Sequence, residues 1–91
     1  MNVDVMRVEG EMTIYRAAEL KPALLEAVRA HEAPALDLSA VTEFDSAGLQ
    51  LLLVGRQEAA RLGKHLAVSA ASSAVRDVFA LLGMDLGEAA A

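Results

Sequence analysis

Apolar and polar positions along the chain change period several times, and each change marks a predicted element. Val3, Val5, Met6 and Val8 predict a first strand, with Gly10 as the turn that ends it. Met12 and Ile14 alternate with Thr13, so Glu11–Tyr15 predicts a short second strand paired back on the first. Leu20, Leu24, Ala27 and Val28 then recur at helical spacing, which predicts a helix over Ala18–His31 with Pro22 in its first turn. Ala35–Val41 alternates again, with Leu36 and Leu38 on one face and Asp37 and Ser39 on the other.

A long helix is predicted from Ser46 to Leu62, ended by Gly63. At 100° per residue its apolar face collects Gly48, Leu49, Leu52, Leu53, Ala59 and Ala60, with Arg56 among them, its stem along the surface and its charge in water. Leu66 and Val68 mark a further strand. Val75, Val78, Phe79 and Leu82 follow the i, i+3, i+4, i+7 template of a last helix, capped by Ser72 or Ser73 and closed by Gly83. Asp85–Ala91 carries no pattern and reads as a loose tail. The order strand-strand-helix-strand-helix-strand-helix implies an α/β domain with parallel pairing across the later crossovers.

Composition bounds what such a domain does. At 91 residues the chain is a single domain, residues 1–91, and nineteen of its apolar residues are Ala, so fourteen Leu and nine Val must supply the bulk of the core. The absence of Cys removes disulfides, thiolate metal sites and Cys nucleophiles. No apolar run approaches a membrane span, and Asp4 and Arg7 interrupt the start where a signal peptide needs an unbroken stretch. A cytoplasmic protein with no membrane insertion is the expectation. The net charge of −5 and three aromatic residues argue against nucleic acid, and Arg56, Arg61 and Lys64 read as a solvated helix face.

Catalytic constellations are missing from the pattern. The glycines at 10, 48, 55, 63, 83 and 87 form neither a P-loop nor a dinucleotide fingerprint, and Phe44 stands where a nucleophile elbow needs Gly. His31 and His65 share no metal-binding spacing. The expectation is a non-enzyme with no cofactor and no metal.

The informative stretch is Glu43-Phe44-Asp45-Ser46-Ala47-Gly48-Leu49-Gln50, which leads from a strand into the long helix. A helix start leaves backbone N–H groups without partners, so a hydroxyl there can cap the helix and can also sit where an added phosphate finds donors; the other reading is that Asp45 or Ser46 merely caps the helix and Gly48 merely permits close packing. Leu51 and Val54 point away from the centre of the apolar face. Either they form a small protein-contact patch, or the helix is buried more widely near its start.

Leu36-Asp37-Leu38-Ser39-Ala40-Val41 followed by Phe44-Asp45-Ser46-Ala47-Gly48-Leu49 resembles the signature of STAS domains, the family of bacterial anti-sigma-factor antagonists. The similarity extends to Gly10, to Ala18–Ala27 and to the Ser73–Gly83 helix. It implies a small mixed sheet of about four strands covered by three helices. It also implies partner switching: the domain binds an anti-sigma factor with a histidine-kinase-like ATPase fold, and phosphorylation at the motif ends the complex. Carried onto this chain, the phosphoacceptor is Ser46, with Asp45 as the accompanying acid and Gly48 letting the partner approach closely. Asp45, Ser46, Ala47, Gly48, Leu49, Gln50, Leu51 and Val54 are then the partner-binding residues.

Members with a defined switch often carry a second hydroxyl where this chain has Ala47. The Ala version also resembles the STAS subunit of lipid-transport ABC systems. Tyr15–Leu20 and Gly48–Leu53 are similar to single-domain STAS proteins of chemotaxis-type signalling clusters.

Overall fold

The computed structural model describes residues 5–84, in the order β1 (Val5–Met12), α1 (Ala17–Ala30), β2 (Ala35–Phe44), α2 (Ser46–Arg61), β3 (Ala67–Ala71) and α3 (Ser73–Leu82). The strands pair in the order β1-β2-β3, all parallel. Each neighbour is reached through a helix, and crossovers of one hand deposit α1 and α2 on the same face of the sheet. All three helices contribute to one core cluster with Val8, Met12, Leu36, Leu38, Val41 and Val68 from the strands. The opposite face lies open and polar, with Arg7 bonded to Glu9 and Asp37, and Ser39 to Asp37.

The sheet of the described residues is thus three-stranded and parallel rather than mixed and four-stranded. The difference arises at Gly10. Its φ of +77° is absorbed inside β1, without reversing the chain, and the β1–β2 register shifts just after it. Arg16 spans the irregularity, its Nη1 donating to the carbonyls of Glu9 and Glu11. Glu11 and Met12 therefore continue β1, and the expected second strand is replaced by a turn in which Arg16 N donates to Thr13 O at 3.0 Å. The stretch Asp85–Ala91 lies outside the described residues, as does Val3.

Two further expectations shift. Pro22 falls in the second turn of α1, not the first; its missing N–H would have served Ala18, which is exposed and can be met by water. On α2 the buried residues are Gly48, Leu51, Leu52, Gly55 and Ala59, so Leu51 turns inward while Leu53 is half-buried and Ala60 exposed. The face rotates because α2 packs against α1 as well as the sheet: Leu24 of α1 lies about 3.1 Å from where a side chain on Gly55 would begin. Arg56 keeps its expected place, its guanidinium 5.8 Å from the centre of the Phe79 ring.

The far ends of α1 and α2 are clamped together. Glu58 accepts from Arg29 at 2.7 Å and from Arg61 at 2.8 and 2.9 Å, while Lys64 Nζ donates to the terminal carbonyls Val28 O and Arg29 O. The near ends, where α2 begins, are left open.

Candidate functional site

Three segments meet at the open end: the Thr13–Arg16 turn, the first turns of α1 and the start of α2. Asp45 joins them. Its Oδ1 accepts from Ala47 N at 2.9 Å and Gly48 N at 3.2 Å, and its Oδ2 accepts from Ile14 N at 3.3 Å. One carboxylate therefore caps α2 and tethers the β1–α1 turn to it. Thr13, buried, steadies the same turn: its hydroxyl donates to Glu11 and accepts from Tyr15 N.

Asp45, not Ser46, therefore supplies the cap of α2. The Ala47 and Gly48 amides are committed to Asp45, and Leu49 N donates to Asp45 O in the first helical bond. These three amides at the helix start are thereby occupied. Ser46, next along, is exposed at the first position of α2.

Gly48 permits close packing within the fold. A side chain there would run into the Met12 carbonyl and the Phe44 ring, and the residue is buried. Its small size lets the helix start lie against the end of β1. Leu49 is half-buried against the core, and Gln50 is exposed. Leu51, at 4% exposure, is no surface anchor, whereas Val54 is half-buried.

Between the two helix starts runs an open groove of about 480 Å³. Ser46, Ala47, Gln50, Leu51 and Val54 line it from α2, so Leu51 contributes an edge to its floor. Ile14, Ala17, Ala18 and Lys21 line it from the turn and α1. Ile14 is 68% exposed and its neighbour Tyr15 87%, an apolar lip at the mouth. The sequence pattern hides both, because Met12 and Ile14 alternate like a strand. The second signal, apolar residues followed directly by the start of an amphipathic helix, points to an exposed turn.

The carboxylates held below their ordinary range lie elsewhere. Hydrogen bonds from Ser39, with help from Arg7, lower Asp37 on the open sheet face. Arg61 and Arg29 hold Glu58 down to about 2 at the clamped end. Both are structural ion pairs, remote from the groove. The chemistry the groove offers is that of a contact surface: an apolar bed, one amide, one ammonium and one hydroxyl at the lip.

Comparison with known proteins agrees with this architecture. Residues 1–86 match a family model described as "Mlab, STAS domain". Among solved structures the fold is similar to that of the anti-sigma factor antagonist SpoIIAA in its unphosphorylated form, with a TM-score of 0.77 over 96% of this chain and 77% of that one. The two are 21% identical, so the likeness is one of fold.

Proposed function

The chain belongs to the STAS domain family, and on that footing we propose that it is an anti-sigma-factor antagonist-like regulatory module. It binds a kinase-type signalling partner through the groove between α1 and α2, and phosphorylation of Ser46 ends the complex. The observation that carries this reading is the position of Ser46: exposed, at the first residue of α2, on the edge of an apolar groove. A phosphate there adds roughly −1.5 to −2 charges at neutral pH. A partner side chain entering the groove would have to desolvate that charge or leave.

Intact-mass measurement of the protein from its native host, with Ser46→Ala as control, tests the switch. A mass increase of one phosphate that disappears in the variant is the expected result. An unmodified Ser46 across growth states would overturn it.

A second reading is favoured by Ala47, which leaves Ser46 as the one hydroxyl of the motif. In it the domain is a constitutive subunit seated on the ATPase of an ABC-type transport system. Pull-down with mass spectrometry separates the two: an ATPase with membrane partners supports this reading, and an anti-sigma-type ATPase the first.

A further inference from the structure

The phosphate that the proposed switch puts on Ser46 draws any free cation within reach, and the structure narrows the choice. The usual receivers at a helix start are its first amides. Here Asp45 holds those of Ala47 and Gly48. Arg16, on the neighbouring turn, is committed to the carbonyls of Glu9 and Glu11 and to Glu19. Arg56 stacks on Phe79. Lys21 is different. It lies on α1, lines the groove together with Ser46, and among the described residues is the one charged residue that does so. It is exposed and makes no ion pair or hydrogen bond among the described residues. Packed helix axes run about 8–10 Å apart, a span that a four-carbon stem from one wall covers toward the other.

We propose that Lys21 receives the phosphate of modified Ser46, so that the domain closes its own groove. The inference rests on Ser46 being the modified residue, but it adds a mechanism. The modified site would not merely repel a partner; the Lys21 stem would be drawn across Ala18 and Leu51 and cover the apolar bed. The carboxylates on the elements around the site, Glu43 on β2, Asp45 capping α2, Glu11 on β1 and Glu19 on α1, oppose the second ionisation of the phosphate. Lys21 favours it.

The test needs no kinase. Protein carrying phosphoserine installed at position 46 by genetic-code expansion is titrated by phosphorus NMR, alongside the same protein with Lys21→Met or Lys21→Arg. Lys21 is exposed, so neither variant disturbs the core. The second phosphate pKa, ordinarily about 6, should lie about half a pH unit lower in the Lys21 and Arg proteins than in the Met protein. The acids are common to all three and cancel. Equal midpoints would overturn the pairing while leaving control by simple repulsion intact. A host protein never phosphorylated would remove the switch without altering the measured pair.

Discussion

The carbonyl oxygen of Met12, the last residue of β1, occupies the space that a side chain on Gly48 would take, with the Phe44 ring against the same spot. The start of α2 is thereby seated on the end of the first strand. That contact brings Ser46 alongside the turn carrying Ile14 and Tyr15, and so builds the groove.

Gly48→Ala tests the contact with a clear sign. In an ordinary helical position Ala is favoured over Gly by about 1 kcal/mol. Here the obstacle is backbone, which cannot swing aside as a side chain does. Overpacking of this kind costs up to about 3 kcal/mol, so the variant should be destabilised by about 2 kcal/mol net in urea unfolding. A neutral or stabilised variant would show that α2 does not rest on β1 in this way.

Asp45 has two jobs that substitutions separate. Asp45→Ala removes the cap and the tether and should cost about 2 kcal/mol. Asp45→Asn keeps one oxygen for the Ala47 and Gly48 amides but turns an NH2 toward Ile14 N, so it should cost less. Amide exchange at Ile14 should quicken in both variants, while exchange at Ala47 quickens in the Ala variant alone. Unchanged Ile14 exchange would mean that the tether contributes nothing.

Much of this arrangement was legible in the sequence. The alternation of Leu36 and Leu38 with Asp37 and Ser39 marks a strand, and the helices begin and end within a residue or two of their spacing signals. The Asp45–Ser46 helix start was readable as well, because capping chemistry is local. What the sequence concealed was long-range. Gly10 carries the positive φ of a turn, yet whether such a residue reverses a strand or bulges it depends on what holds its flanks, here Arg16. The phase of α2 was off because a helical wheel assumes one buried direction, and α1 supplies a second. Leu51 follows the second of its two readings, a helix buried more widely near its start, and ends at the floor of the groove. The exposure of Ile14 and Tyr15 at the lip is hidden for the same reason as the bulge at Gly10: their stretch has the alternation of a strand.

Ser46 separates stability from binding. It is exposed, so Ser46→Ala should change stability by no more than about 0.5 kcal/mol. Ser46→Asp places a negative charge at the positive end of α2 and should hold or slightly raise stability, by up to about 1 kcal/mol. Binding should move the other way, with Asp weakening the complex with the co-purified partner more than Ala does, as read by calorimetry. Equal affinities for the two folded variants would show that charge at this position does not govern docking.

Glu58 sets an acid limit at the other end of the helix pair. Its carboxyl is held to about 2 by Arg61 and Arg29, against an ordinary 4.5. A pKa lowered on folding means that the folded state binds the proton less readily than the unfolded chain. The contribution is therefore complete above about pH 4.5 and is lost as the pH falls toward 2. Both arginine partners are exposed, so the effect should shrink with added salt. Glu58→Gln, which keeps the shape and removes the charge, should lower the urea midpoint at pH 7 and close the gap to the native protein between pH 4.5 and 2. Asp37, also lowered but on the open sheet face, keeps its own acid dependence in both proteins and drops out of the difference. Parallel curves for the two proteins across that range would mean that the clamp joining α1 to α2 carries no pH-dependent stability.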